Sequence, residues 1–543
     1  MTRRVVSIHR DHTLSGVSTA GLHAASLPSP HTPWTPLIVG GDLPPDTIRR
    51  TPFADLRHAR AASWPRHADA AERALALADA LEDLDPGVVV PNDHPAGFVA
   101  AALLPRAASA AWCHGDDPLS LELYERCLPL THAAAAVNRT IRRRIEPLAP
   151  YTLDEPVPAG LPVPPAPPPW HDTRTLRLLY LGWLDRRNKR CTDLAPLARR
   201  LESLGVPFLL RIAGDGPCAD ALAHDLGPLR NTRALMLGRL TPHQARDEIR
   251  NAHALVLTSA SEGWPMAVME AAALGRTSAL TTGSGGAADD LTHGVNALVA
   301  PTARPDLLAD AFAHTHADPA AWQRLGEAAH RFARDRLDLP HLARRLARLT
   351  DAAAERAAST TADPARRWTA LRLALGLIGP CSPGNLRRLA ERFARAHAIA
   401  PDQLDLDPRP PHYLSPPERR LLDARRRLAT RGLRRVALYG GGRHSARLAN
   451  ALPGIFAIID DQAHDHPGLP ASPIADHLGI PVIHPDDAAP LRLDAIIISS
   501  DEHEHELLRR AQTWAGPTPV LTLYADPPAA TTPAEPAVPR LAA

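Results

Sequence analysis

The stretch SEGWPMAVMEAAALG, residues 261–275, places two glutamates eight residues apart, with Gly-Trp-Pro between them. The preceding apolar run HALVLTS (253–259) is typical of a β-strand, and Pro265 suits the first turn of a helix. We therefore expect Glu262 in the loop between a strand and a helix, at the carboxyl edge of a sheet. Glu270 is expected about a turn and a half inside the helix.

The start of this helix predicts a ligand with two kinds of polar group. Its first N–H groups, near Met266 and Ala267, point into the space beside Glu262 and carry the positive end of the helix dipole. Carboxylates accept hydrogen bonds from sugar hydroxyls, while a helix N-terminus binds phosphate oxygens. A nucleotide sugar has both groups.

The chain around this stretch alternates between strands and helices, which is typical of a parallel, doubly wound sheet. The predicted strands are 176–184, 207–214, 234–238, 253–259, 277–282 and 296–301. The predicted helices are 193–204, 218–226, 242–251 and 265–274. Residues 1–160 repeat the alternation more weakly, with RRVVSIH, TPLIVGG, GVVVPND and SAAWCH as strands.

The sequence thus predicts an α/β protein in which two Rossmann-like domains face a cleft. We expect an N-terminal domain over 1–165, a second domain over 171–352, a helical linker over 353–430, a small Rossmann-like domain over 431–525 and a disordered tail over 526–543. The boundary between the first two domains is the proline-rich PVPPAPPPW (162–170).

Composition excludes several classes of protein. Of 543 residues, 45% are apolar and 22% charged, as in soluble globular proteins. Lysine and arginine total 61 against 59 acidic residues, so the charge of +2 indicates no nucleic-acid partner. The five cysteines form no CxxC pair, and no apolar run reaches the ~18 residues that would span a membrane. A cytoplasmic protein is expected.

The stretch 262–299 resembles the signature region of the group 1 retaining glycosyltransferases, which have the GT-B fold. The family pattern is E-G-x-P-x-x-x-x-E-A-x-A-x-G, then a strand, G-G-x-x-E and G-x-N-G-x-L-V. The matching residues are Glu262, Gly263, Pro265, Glu270, Ala271, Ala273, Gly275, Gly285, Gly286, Gly294, Asn296, Leu298 and Val299. RIAGDGP (211–217), with Gly214, is similar to the family's G-D-G-P turn, and YLGWLDRRNKRCTDL (180–194) to its first strand and phosphate loop.

The resemblance implies roles for these residues. Glu262 would hold donor-sugar hydroxyls and Glu270 the ribose hydroxyls, while Lys189, with Arg190, would neutralise the leaving diphosphate. Backbone groups of the turn would contact sugar and phosphate, and this turn comprises Gly263, Trp264, Pro265, Met266 and Ala267. Gly16 would lie near the diphosphate from the N-terminal domain. No cofactor or metal is expected, because the basic groups replace a metal.

His114, in AWCHGDD (111–117), is a further candidate in the cleft. It ends a predicted strand of the N-terminal domain and could hydrogen-bond the donor sugar or the acceptor. The alternative is a structural or solvated histidine.

The chain departs from the family pattern at two charged positions. Trp183 stands where the family commonly has an arginine, and Asp289 where it has a glutamate. Lys189 remains, with Arg186 and Arg187 nearby.

The third domain begins as a Rossmann-like unit in LRRVALYGGGRHS (433–445). Gly440, Gly442 and Asp460 have the spacing of a nucleotide or sugar site, although Ser445 replaces the third glycine of G-x-G-x-x-G. We expect a binding or docking role.

The predicted function is transfer of a sugar, of the hexosyltransferase type, from a nucleotide-sugar donor to a glycan, lipid-linked or protein acceptor. Bacterial polysaccharide or envelope glycan synthesis is the expected setting. The arginine-rich 136–148 could touch anionic lipid, although a solvated helix is the alternative. Other hypotheses are a catalytically impaired binding or scaffold protein, supported by Trp183, and an epimerase of the same fold, which should lack the paired glutamates.

Overall fold

The protein is described by a computed structural model. It describes residues 4–522 except for the gaps 11–14, 28–32, 45, 171–174, 228–232, 319, 360–362, 407–420, 422–434, 441–454, 460, 462–481, 489–490 and 500–503. The chain divides into two compact units, residues 1–411 and 412–543.

The first domain is a six-stranded parallel sheet with the order β3-β2-β1-β4-β5-β6. Its strands are β1 Val5–Arg10, β2 Trp34–Gly41, β3 Arg60–Trp64, β4 Val88–Val90, β5 Ala108–Cys113 and β6 Ala133–Ala136. Its helices are α1 Gly16–Ala25, α2 Ala70–Leu84, α3 Pro95–Ala102, α4 Pro118–Cys127 and α5 Arg139–Ile145. The central strands are buried throughout, as expected for a parallel sheet covered on both faces.

The second domain repeats this topology, with the order β12-β11-β10-β7-β8-β9. Its strands are β7 Leu176–Leu181, β8 Phe208–Ala213, β9 Arg233–Gly238, β10 Ala254–Leu257, β11 Thr277–Thr281 and β12 Ala297–Ala300. Its helices are α6 Leu194–Ser203, α7 Ala219–Leu226, α8 Pro242–Asn251, α9 Met266–Ala273, α10 Gly286–Asp290, α11 Pro305–His316 and α12 Ala321–Arg336. The predicted strands and helices of this region are confirmed.

Three helices follow the second sheet: α13 Leu339–Ser359, α14 Pro364–Ile378 and α15 Pro383–His397. They pack on the first domain, α13 against β5 and β6, α14 against α3 and α4, and α15 against α2. The Asp69 carboxylate, which caps α2, also accepts hydrogen bonds from Ser382 N at 2.8 Å and Asn385 Nδ2 at 2.9 Å. Up to His397, the predicted helical linker is therefore a layer of the first domain, because its apolar faces are buried there.

The residues described in the second unit form a five-stranded parallel sheet with the order β15-β14-β13-β16-β17. The strands are β13 Val436–Tyr439, β14 Ala457–Ile459, β15 Val482–Ile483, β16 Ala495–Ile498 and β17 Val520–Thr522, with helix α16 at Glu504–Trp514. The sheet confirms a third Rossmann-like element. Across the described residues of both units, no helix has the length and apolarity to cross a membrane.

Strand order determines where ligands bind in such sheets. It reverses between β1 and β4 in the first domain and between β7 and β10 in the second. The loops after these strands diverge and leave a crevice at the carboxyl edge of the sheet. Any ligand site of the second domain is therefore expected between the loops after β7 and β10.

Candidate active site

Glu262 and Lys189 meet at this crevice. Glu262 follows β10 and Lys189 follows β7, and the Lys189 Nζ atom lies 2.5 Å from Glu262 Oε1. Ser259 Oγ donates a second hydrogen bond to the same oxygen at 2.8 Å. The side chains are 27% and 11% exposed, so the ion pair remains within reach of a ligand.

The loop that carries Lys189 is fixed by hydrogen bonds at both ends. The Asp185 carboxylate accepts from the backbone N–H of Asn188 at 2.7 Å and of Lys189 at 3.3 Å. Across the crevice, Ala260 N donates to Asn188 O at 2.7 Å and Thr258 Oγ1 to Lys189 O at 2.9 Å. The loops after β7 and β10 therefore form one preorganised unit.

Two other residues of this loop differ from what a phosphate clamp needs. The Arg190 guanidinium is paired with the Asp193 carboxylate at 2.9 and 3.1 Å, which ties it to its own loop. Trp183 is 49% exposed, and its backbone oxygen accepts from Tyr180 Oη at 2.9 Å. Both cations are paired, but the partner of Lys189 is Glu262 at the crevice, so Lys189 is the better placed of the two predicted cations.

The Glu262–Gly263 turn contacts the first domain through its backbone. A Cβ atom on Gly263 would lie 1.8 Å from His114 O, so only glycine permits this approach. Asn138 Nδ2, at the start of α5, donates to Gly263 O at 2.8 Å, and Gly286 N donates to the same oxygen at 2.7 Å. The turn is therefore held at the junction of the two domains.

The side chains of Trp264 and Pro265 stabilise this turn. Trp264 is 6% exposed, its Nε1 donates to Asp290 Oδ2 at 3.1 Å, and its ring stacks on Phe332. Pro265 is the N-cap of α9, so the helix begins one residue later than predicted, and Pro265 has no N–H to donate. The backbone donors left for an anion are thus those of Met266 and Ala267, which have no partner within the helix.

A second helix N-terminus lies opposite α9. Gly16 begins α1, and a Cβ atom added to it would lie 3.5 Å from Met266 Cγ. Ser15 and Ser18 cap α1 reciprocally, so its first turn is well ordered. The starts of α1 and α9 therefore converge, and their dipoles favour an anion between them.

Glu270 lies in α9 beyond these donors. Burial raises the pKa of its carboxyl, and the positive charge of Arg246 opposes this shift. Arg246 belongs to α8 and was not predicted from the sequence, because a single arginine on an amphipathic helix has no distinctive pattern. The pKa of His23 in α1 is lowered mainly by burial, and the positive charge of Arg246 lowers it further.

The first domain contributes buried polar groups after β4 and β5. Burial lowers the pKa of His114 to about 3, and within the described residues its Nε2 atom is buried without a hydrogen-bond partner. Burial likewise raises the pKa of Asp93 to about 7, while the charge of Arg10 opposes the shift. Asp93, which was missed in the sequence, has an Oδ1 atom that is also buried and unpartnered among the described residues.

Two predicted glycines lie at tight turns. Gly214 has φ +143°, and a Cβ atom there would lie 1.8 Å from Gly182 O, so this residue lets two loops of the second sheet meet. Gly440 follows β13 with φ +124° and donates its N–H to Ile459 O at 3.0 Å. Gly442 and Asp460 lie outside the described residues.

The fold and the site together define a class of protein. Two six-stranded Rossmann-like domains of the same topology meet at the turn that carries Glu262, which is the GT-B arrangement. Residues 171–332 match the family described as Glycosyl transferases group 1. The chain is therefore a glycosyltransferase, and its second domain is of the group 1 family.

Solved structures agree on the fold. HepE of Anabaena, in complex with UDP and glucose, is 14% identical with a TM-score of 0.53, covering 64% of this chain and 98% of that one. A mutant of S. aureus TarM, in complex with Fondaparinux, alpha-GlcNAc-glycerol and UDP, is 10% identical with a TM-score of 0.54, covering 64% and 100%. Sucrose-phosphate synthase from Thermosynechococcus elongatus is 16% identical with a TM-score of 0.51, covering 64% and 98%. No curated protein matches the chain.

Proposed function

We propose that the chain transfers a sugar from a nucleotide-sugar donor to a glycan, lipid-linked or protein acceptor, with retention of the anomeric configuration. The observation that carries this proposal is the Lys189–Glu262 ion pair, with a distance of 2.5 Å, beside the start of α9. An ammonium group and free helix N–H groups suit a diphosphate, and a carboxylate suits sugar hydroxyls.

Each side chain has a role in this reaction. As the bond between the anomeric carbon and the phosphate oxygen breaks, Lys189 stabilises the growing negative charge of the nucleoside diphosphate. Glu262 accepts hydrogen bonds from the donor sugar and also orients Lys189. Glu270 accepts from the ribose hydroxyls, and Arg246 favours its ionised form.

Retention requires the acceptor oxygen to attack from the side that the diphosphate leaves. The acceptor proton then passes to the departing phosphate oxygen, and no protein nucleophile takes part. With its pKa near 3, His114 is neutral at physiological pH, so it can donate or accept a hydrogen bond but cannot act as a charged acid.

The cellular setting belongs to the same proposal. HepE and TarM were solved with UDP, so UDP-sugars are the first donors to test. We propose a cytoplasmic reaction in bacterial polysaccharide or envelope glycan assembly, with no metal required, since Lys189 supplies the cationic charge.

The proposal is tested with a panel of nucleotide sugars. Thermal-shift assays identify the donor, and proton NMR of the transfer product reports the anomeric configuration. An α-linked product from an α-linked donor supports the proposal, whereas a β-linked product excludes retention. A protein that binds donors but never releases the nucleoside diphosphate is the impaired scaffold that Trp183 suggests, and Trp183→Arg would then be expected to restore turnover.

A further inference from the structure

A cavity of about 380 Å³ lies beside the junction of the two GT-B domains, away from the Lys189–Glu262 pair. We call it the arginine cavity, because five guanidinium groups line it: Arg139, Arg142, Arg143, Arg336 and Arg345. The first three are on α5 of the first domain, and the other two are on α12 and α13. The cavity is therefore built from elements on both sides of the junction.

Positive charge exceeds negative charge in this cavity. Its acidic residues are Asp154, Glu155 and Asp290, three carboxylates against five guanidinium groups. Glu155 pairs with Arg348, which is not a lining residue, at 3.4 Å. Asp290 pairs with Arg139 of the lining at 3.7 Å and also accepts from Trp264 Nε1 at 3.1 Å. The carboxylates therefore offset only part of the positive charge of the five arginines.

The arginines are held near one another at a cost. Burial lowers the pKa of Arg345, the like charge of Arg336 lowers it further, and the carboxylates of Glu155 and Asp290 oppose these effects without reversing them. Within the described residues, Arg143 has no ion-pair partner in the structure. A multivalent anion would relieve this repulsion, and guanidinium groups match phosphate oxygens in geometry.

The cavity is separate from the proposed donor site. Asp290 and Phe332 line it, and both contact the buried face of Trp264, whose neighbours Glu262 and Gly263 belong to the crevice. The Trp264 side chain thus contacts the cavity lining, which includes neither Lys189 nor Glu262. A ligand can therefore bind in the arginine cavity without entering the donor crevice.

We propose that the arginine cavity is a second ligand site, which binds a small phosphate-bearing molecule such as a phosphomonoester or a diphosphate. The ligand makes charge-assisted hydrogen bonds with Arg143 and Arg345, from opposite sides of the domain junction. This site depends neither on the donor nor on the transfer reaction.

Calorimetric titration of the full chain with pyrophosphate tests this proposal. Arg143→Gln and Arg345→Gln should each weaken binding by about tenfold or more, the effect of losing one charge-assisted contact. Arg344→Gln is the matched control, since Arg344 is exposed and does not line the cavity. Because pyrophosphate also suits the donor crevice, each arginine variant is titrated both alone and together with Lys189→Ala. Binding at the cavity should remain intact in Lys189→Ala, which separates the cavity from the donor site.

The variants also distinguish the alternatives. Arg143 is exposed, so its replacement keeps the test valid if Arg345→Gln destabilises the fold. Equal affinity in all the arginine variants, or loss of binding only in Lys189→Ala, would overturn the proposal. Binding to phosphatidylglycerol vesicles without binding of pyrophosphate would also overturn it, in favour of a lipid surface.

Discussion

The Lys189–Glu262 ion pair joins the loops after β7 and β10, and it holds the Lys189 ammonium group at the crevice. Arg190 is paired with Asp193, and Trp183 carries no charge. We expect Lys189→Ala to reduce kcat by ~10²-fold or more, the scale for losing one group that stabilises developing charge. Steady-state kinetics with the best donor measures this, with Arg186→Ala, an exposed change in the same loop, as control. Equal small effects of the two changes would place the phosphate clamp elsewhere.

Gly263 permits a direct backbone contact between the two GT-B domains. Gly263→Ala would place a Cβ atom 1.8 Å from His114 O, so the domains must separate or the turn must shift. We expect near-complete loss of transfer and destabilisation of about 1–3 kcal/mol, as for overpacking. Gly384→Ala is the matched control, because no atom lies within 4 Å of the added Cβ. Denaturant melts and transfer assays on both proteins check this, and an active, stable Gly263→Ala protein would refute it.

At the scale of elements, the strands and helices of the second domain followed from the sequence because apolar runs and capping residues agree there. Two strands of the first domain, β3 and β6, were missed. Ala133–Ala136 is a run of the best helix former, yet it is a buried strand because tertiary packing outweighs propensity. Arg60–Trp64 has mostly non-buried side chains at the sheet edge. Glu262 and Lys189 could be predicted from motifs, whereas Arg246 and Asp93 depend on contacts between distant elements.

The buried histidines of the first domain predict how its stability depends on pH. Burial lowers the pKa of His9 and His114 to about 3, and of His94 and His132 to about 4. In the unfolded chain these histidines bind protons near pH 6.5, whereas in the native state they stay neutral until about pH 4 or below. The free energy of unfolding therefore falls as the pH drops from 6.5 towards 4. The carboxyl of Asp93, whose pKa is raised to about 7, stabilises the native state at lower pH. This one group opposes the effect of four histidines, so the histidines determine the direction of the change.

We therefore expect the melting temperature of residues 1–411 to be lower at pH 5 than at pH 7.5. A difference of about 4 °C or more corresponds to roughly 3–4 kcal/mol, because an unfolding entropy of about 2.1 cal/mol/K per residue gives about 1 °C per kcal/mol for a chain of this length. Differential scanning calorimetry at low ionic strength measures it. A melting temperature that is unchanged or higher at pH 5 would show that these histidines are not buried as neutral groups.

For the whole molecule, the division at Pro411 predicts which parts depend on each other. A chain ending at Pro411 should fold and hydrolyse the donor, since the crevice lies wholly within it. A chain ending at Ser359 loses α14 and α15, which cover α2, α3 and α4, and should be insoluble or partly unfolded. Circular dichroism and donor hydrolysis compare the two. A folded chain ending at Pro411 that cannot bind donor would mean that the last unit is part of the active site.

If Glu262 belongs to a site that transfers sugar from a nucleotide-sugar donor, its loss must stop release of the nucleoside diphosphate. The most direct measurement is release of nucleoside diphosphate by the wild type, by Glu262→Ala and by Glu391→Ala, an exposed glutamate of α15. We predict that Glu262→Ala abolishes release while its melting temperature stays close to that of the wild type, because Glu262 lies at the ligand-facing edge of the sheet. Glu391→Ala should release the diphosphate at the wild-type rate. A Glu262→Ala protein as active as the wild type would show that Glu262 does not belong to the transfer site.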